Sequence, residues 1–392
     1  MAFEGRWLSK ITAMIKFYAF LLSTARANSY LCRNTQFVTM IQTKDIRSQV
    51  KQLIVDRHPF ALYRLPAKHN QHLVVCEGEV TLMDDLRMLN QKRGFVIAPF
   101  RVDEQHPVVV MEHYSELVVE EDWSESYTCL PRTEIQPLTE SYAHRFTIFH
   151  RELEEGRFEK LVLSRSEDLT IGFDPLKVYC RAMAAYPNAY VWMGYTPQTG
   201  LWVGATPEVI LAGRDDEWSV MALAGTQAVE ESTEPLAWDA KNLREQAYVS
   251  EYLLGQLQSV GIEPHNTGTY TIRAGGLAHL KTDFRFRMSD HEHLGDLLQL
   301  LHPTPAVCGL PKDEAYRFII EKEGYTRGYY SGFVGRLDPQ CGCDLYVNLR
   351  CMQATDNGVR LYAGGGLLPS SRMQEEWAET EHKLQTMKRV LI

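Results

Sequence analysis

Short β-rich runs separated by turn residues, with no regular strand–helix alternation, restrict this chain more than any other feature. Such runs fall at Phe60–Leu65, Leu73–Cys76, Gly94–Phe100, Val108–Met111, Ala189–Thr196, Leu201–Ala205, Val209–Leu211 and Val220–Leu223. They are rich in β-branched and aromatic residues and end at turn residues. Further strands are expected at Leu277–Leu280, Tyr329–Leu337 and Leu345–Arg350. Helical periodicity appears at Asp45–Val55, Tyr142–Glu155, Trp238–Val260, Leu294–Leu301 and Pro311–Glu323, and in an acidic helix opened by Ser370 and Ser371. Gly156, Gly261 and Gly324 are natural stops. A doubly wound sheet needs a helix after nearly every strand, so the pattern predicts α+β.

Composition sets outer limits. The 392 residues, 45% hydrophobic, can bury a core of good size. A net charge of −9 without a basic block argues against nucleic acid. The eight cysteines form no CxxC pair, which points to reduced thiols in the cytoplasm, with Cys341-Gly342-Cys343 as a turn. No run is long enough to span a bilayer, and no membrane partner is expected. Residues 1–39 read as an N-terminal extension, either a leader or upstream translation, and 40–392 as the domain itself.

Chemistry concentrates in five places. Lys160, on the run Phe158–Arg165, would share a strand face with Val162 and Ser164. Apolar neighbours favour the neutral, basic form of a lysine, although a lysine at a strand mouth usually snorkels to water. Glu208 interrupts two apolar runs, where burial would make a carboxyl an acid. Glu245 sits in the first turns of the Trp238–Val260 helix, whose apolar face reads as Leu243, Ala247, Leu254 and Leu257 with Val249 and Leu253 beside them. Gly364, Gly365 and Gly366 follow a turn at Asp356–Gly358, and a glycine run can nest an anion. In the helix beyond, Glu376, Glu379 and Lys383 share one face, and Ser371 with Gln374 has capping-box spacing. Carboxylates beside an anion nest suggest a hard cation between them, although an acidic helix face is usually solvated and a triple glycine usually a loop.

In this order the motifs resemble the chorismate-utilising enzymes. They are Lys160-Leu-Val-Leu-Ser-Arg165, Gly204-Ala-Thr-Pro-Glu208, Leu223-Ala-Gly-Thr226, the Lys241–Gln246 helix start, His279-Leu280 and Leu301-His-Pro-Thr-Pro-Ala306. Arg327-Gly-Tyr-Tyr-Ser-Gly332, Leu349-Arg350, Tyr362-Ala-Gly-Gly-Gly366 and Glu376-Trp-Ala-Glu-Thr380 complete the set. The isochorismate synthases are the branch it resembles most. The resemblance implies one large domain of two packed antiparallel sheets ringed by helices. It also implies a magnesium-dependent isomerisation of chorismate, with water added at C2 and the C4 hydroxyl lost.

Carried onto this chain, Lys160 matches the base and Glu208 the acid. Glu245 and Glu379 match magnesium ligands, with Glu376 reached through water. Arg350, Tyr330 and the Gly364–Gly366 amides match the substrate-carboxylate site, His279 matches the histidine beside the ring, and Thr226 counts as substrate-binding. Lysine at 160 and alanine at 224 separate the chain from the amine-adding branches, so no amidotransferase partner is expected, and a monomer suffices. Alanine at 306 favours release of isochorismate, while Tyr330 keeps a salicylate synthase open, as the altered helix start keeps a non-catalytic ligand-binding relative. The family's Lys-Asp-x-x-Glu-His start here reads Lys241-Asn242-Leu-Arg-Glu245-Gln246, which removes one charge near the metal and one titratable group. The product's destination stays open among menaquinone, a siderophore and salicylate-derived signalling.

Overall fold

The structure, a computed structural model, describes residues 38–40, 46–120, 123, 134–228, 236–274, 276–289 and 291–391. Two ten-stranded sheets pack face to face. Every pairing in them is antiparallel except at one edge, where Val38–Met40 runs parallel to Tyr114–Val119. This is the expected α+β architecture. The boundary placed at Met40 cuts that edge strand, and residues 1–37 lie outside the described residues.

Seven helices are described: α1 (Ile46–Val55), α2 (Glu140–Glu154), α3 (Pro175–Ala185), α4 (Ala240–Ser259), α5 (Leu294–Leu301), α6 (Lys312–Lys322) and α7 (Met373–Leu391). Helix α3 has no counterpart among the helices expected from sequence, although its signals are regular. Asp174 accepts from the Leu176 and Lys177 amides and Pro175 fills the first helical position. None of these helices is long and apolar enough to cross a membrane.

Aromatic side chains fill the layer between the sheets, with Tyr63, Phe95, Trp192, Trp202, Tyr346 and Tyr362 in one cluster. The other faces are covered by helices. α4 and α5 pack on the sheet that holds Glu217–Ala228, while α1, α3 and α7 cover the sheet that holds Gly358–Leu367. The α4 face keeps the expected Val249, Leu253 and Leu257 and departs from expectation at its N-terminal end. Its buried positions are Asn242, Glu245, Gln246, Val249, Leu253 and Leu257, whereas Leu243 is exposed. The helix turns its polar N-terminal residues inward, which an apolar stripe cannot reveal.

The chain passes between the sheets at two points that matter for the site. Gly200–Thr206 in one sheet continues through Pro207 and Glu208 into Val209–Arg214 in the other. Cys343–Val347 returns through Asn348, Leu349 and Arg350 into Cys351–Thr355. Three bonds stitch these crossovers together: Val347 N–H to Glu208 O at 2.9 Å, Ala205 N–H to Arg350 O at 3.0 Å, and Thr206 Oγ1 to Val347 O at 2.7 Å. Glu208 and Arg350 therefore sit on the seam of both sheets. Arg350 has φ +46°, a left-handed conformation that a non-glycine residue adopts only where its surroundings impose it.

Two local expectations are corrected. Tyr329–Ser331 is a turn, and the strand begins at Phe333, so Tyr330 stands on a turn. Cys76, Cys180, Cys308, Cys343 and Cys351 are free thiols, but Cys341 is disulfide-bonded, so the all-thiol reading fails there.

Candidate active site

At the seam lies a cavity of about 610 Å³, open solvent at its mouth included. Glu208, Thr226, Glu245, His279, Tyr330 and Arg350 line it. Gly364 and Gly366 line it too, with Lys383. Lys160, Glu376, Glu379 and Gly365 are not in its wall but lie behind it. The structure thus brings eight of the twelve expected site residues to one surface.

Lys160 is fully buried, so the snorkelling alternative is excluded. Its strand, Lys160–Thr170, pairs along its length with Gly358–Leu367. Lys160 Nζ lies 3.1 Å from Glu245 Oε1 on α4. The contact is an ion pair, but its angles do not make a hydrogen bond. Glu208 is buried, and that burial pushes its carboxyl up to about 8, although Lys160, Lys383 and Arg350 pull the other way. It is therefore mostly protonated at neutral pH, and its Oε1 has no hydrogen-bond partner.

The three glycines are a strand, not a loop. Val162 N–H donates to Cys308 O and Ser164 N–H to Glu323, so neither bonds the glycine strand. Gly366 and Gly364 stand opposite these two residues, and antiparallel alternation turns their own amides away from the lysine strand. They face the side where Cys351–Thr355 no longer pairs with the strand. The expected nest of three consecutive amides is replaced by two alternate ones, with Gly365 facing α7.

Glycine leaves room here for charged side chains. A Cβ on Gly366 would lie well inside contact distance of Glu245 Oε1 and 2.8 Å from Lys160 Cε. One on Gly365 would lie 3.2 Å from Glu376 Oε2 and 3.5 Å from Glu379 Oε1. The strand is thus a cradle that lets carboxylates from two helices close on the backbone.

Each of these carboxylates holds a lysine. Besides Lys160–Glu245, Lys241 Nζ is 2.6 Å from Glu376 Oε1 and Lys383 Nζ is 2.6 Å from Glu379 Oε1. Burial raises the Glu376 carboxyl; Lys241 opposes this and Glu379 adds to it. Burial acts likewise on Glu379, but Lys383 and Lys241 outweigh it and hold it below the usual range. Ser371 does not cap α7 with Gln374. Its hydroxyl accepts from Leu368 N–H and donates to Glu376 at 2.6 Å. Glu376 Oε2 remains buried without a partner. Among the described residues no three His, Cys, Asp or Glu groups stand at metal-ligating spacing. The orphaned oxygen, the glycine cradle and an all-oxygen donor set nonetheless fit a hard divalent cation in exchange for the lysines.

The far wall is a hydrogen-bonded series. Arg350 Nη2 is 3.2 Å from His279 Nε2, and His279 Nδ1 is 3.2 Å from Thr226 Oγ1 and 3.3 Å from Gly225 O. Burial, then Arg350, hold His279 well below its ordinary range, so it is neutral. Tyr330 stacks on Tyr362 at 5.2 Å, and Tyr362 on Trp202 at 5.4 Å. Tyr362 and the lysines 241 and 383 are site members the sequence reading left without roles. The i, i+4 spacing of Glu379 and Lys383 was a signal for one pair, and the motifs that contain Lys241 and Tyr362 marked the other two.

A deep cavity between two antiparallel sheets, with a buried acid, a buried amine and carboxylates on two helices, defines an enzyme-like class of α+β domain. The family model described as chorismate binding enzyme matches residues 109–392, and the chain belongs to that family. It is 32% identical over 239 residues to isochorismate synthase EntC of Escherichia coli strain K12, covering 58% of this chain and 61% of that protein. It is 30% identical over 263 residues to isochorismate synthase DhbC of Bacillus subtilis, covering 60% and 64%. The matched stretch thus spans under two thirds of either relative. Among solved structures, the menaquinone-specific isochorismate synthase MenF of Escherichia coli superposes with a TM-score of 0.75 at 22% identity, covering 98% of this chain and all of that one. Anthranilate synthase component I of Streptococcus pneumoniae gives 0.64 at 18%, covering 84% and 90%. These likenesses establish the fold.

Proposed function

We propose that the chain is an isochorismate synthase that isomerises chorismate with magnesium. The observation that carries this reading is Glu208, a buried carboxyl that keeps its proton at neutral pH, in a cavity backed by the buried amine of Lys160. The two groups come from separate strands, and burial gives one of them the protonation state a general acid needs.

In the reaction, Lys160 takes a proton from water as the water oxygen bonds to C2 of the ring. The ring double bonds shift, the C4–O bond breaks, and Glu208 Oε1–H gives its proton to the departing oxygen. One water enters and one leaves, so the atoms balance. Arg350, oriented by His279, and the amides of Gly364 and Gly366 hold a substrate carboxylate, and Tyr330 closes the wall beside them. Glu245, Glu379 and Glu376 would hold a divalent cation, which would supply positive charge for a substrate carboxylate, and Glu245 would then release Lys160 from its ion pair. Ala306 lines the cavity and offers no hydroxyl there, which favours release of isochorismate over pyruvate elimination.

Turnover of chorismate by the purified chain, with and without magnesium, tests this reading. Isochorismate formed only with magnesium supports it. Stoichiometric pyruvate moves the assignment to salicylate synthase, and binding without turnover to a ligand-binding relative.

A further inference from the structure

We propose that Asn242 and Gln246 are positioning residues for the substrate-carboxylate site, acting through a bulge in Glu217–Ala228 and the tautomer of His279. The bulge lies at Gly225. Ala224 pairs with Leu280 and Thr226 with His279, so Gly225 is the extra residue, at φ +71°. A bulge leaves backbone groups outside the ladder, and α4 supplies their partners. Ala224 N–H donates to Gln246 Oε1 at 2.8 Å, and Thr226 N–H donates to Asn242 Oδ1 at 3.0 Å. The two amides are one helical turn apart and grip the bulge from both sides.

Neither grip is loose. Gln246 Nε2 also donates to Ala222 O at 3.2 Å and to Thr282 Oγ1 at 3.1 Å, which ties the bulged strand to its neighbour Leu277–Arg287. Asn242 Nδ2 donates to both oxygens of Asp239, the α4 cap, at 3.1 Å. A Cβ at Gly225 would meet Asn242 O at 3.1 Å, so helix and bulge are in close contact.

The held bulge fixes the tautomer. Gly225 O can only accept, so His279 Nδ1 carries the hydrogen. Arg350 Nη2 can only donate, so His279 Nε2 carries none. Both partners demand the same form, and the imidazole then points an acceptor at the guanidinium. The series runs from α4 through the bulge and His279 to Arg350. Since amides stand where the family pattern has Asp and His, no member of the clamp titrates.

The test uses Asn242→Leu, Gln246→Met and Asn242→Asp in the full chain. Its first arm is histidine ¹⁵N NMR of ligand-free protein, with His279 assigned by His279→Gln. Wild type shows a neutral, Nδ1-protonated His279, and the Leu and Met variants show a mixture of tautomers. This arm is independent of the proposed function, on which the second arm rests. In that arm, Asn242→Leu and Gln246→Met raise KM for chorismate roughly tenfold with kcat within about threefold. Asn242→Asp keeps the acceptor for Thr226 N–H and returns KM to wild type. It faces Asp239, so its cost falls on the melting temperature instead. An Nε2-protonated His279 in wild type, tautomers unchanged in both clamp variants, or an Asn242→Asp as impaired in KM as Asn242→Leu would overturn the proposal.

Discussion

Single residues here are set by what burial does to charge. The Glu208 carboxyl, moved from 4.5 to about 8, holds a proton in the fold that the unfolded chain has lost. Its contribution to stability is therefore present at low pH and declines as pH rises through that window. Melting temperature read between about pH 5 and 9 should show that slope, and Glu208→Gln, which cannot ionise, should flatten it. Turnover should fall above about pH 8 as the acid ionises, and Glu208→Gln should lose on the order of 10²–10⁴-fold in kcat. Lys160→Ala should lose a similar factor while chorismate still binds by calorimetry. A Lys160→Ala protein with wild-type kcat would remove the base from the account. The sequence made Lys160 and Glu208 visible as charged residues in apolar runs. It did not reveal the burial that decides between a snorkelling lysine and an enclosed one, because burial depends on strands far away in the chain.

At the scale of elements, α4, α7 and the glycine strand work as a unit. Glu245 and Glu379 come from different helices, so a cation between them should need both. Glu379→Gln keeps the side chain's size and should abolish magnesium-dependent turnover with circular dichroism unchanged. Full activity at ordinary magnesium would take Glu379 out of the ligand set. Gly366→Ala places a methyl group against Glu245 and Lys160 and should inactivate the enzyme. Gly172→Ala meets nothing within 4 Å and should not. The helix ends, the carboxylate spacing of α7 and the triple glycine were legible locally. The triple glycine was legible as an anion nest but not as a strand, because Gly-Gly-Gly is normally a breaker. Here the glycines are tolerated because the strand must admit side chains from both faces. The polar part of the inward face of α4 was missed because Glu245 and Gln246 find their partners on strands distant in sequence, at Lys160 and across the bulge.

Over the whole molecule, the two crossovers that stitch the sheets place Glu208 and Arg350 on one seam, and the helices on the outer faces bring in the carboxylates. The α+β class was readable from strands without alternation. The pairing order was not, because neighbours such as Lys160–Thr170 and Gly358–Leu367 lie far apart in sequence. The Val38–Met40 strand sits at the end of its sheet opposite the Lys160 strand. A chain that starts at Met40 should therefore stay folded and keep wild-type kcat, with a small loss in melting temperature as its measurable effect.

The most direct test is to give the purified full chain chorismate and magnesium and resolve the products by chromatography. Isochorismate should be the main product, dependent on magnesium, indifferent to ammonia and accompanied by little pyruvate. An aminated product that requires ammonia, or pyruvate released one for one, would contradict the proposed function.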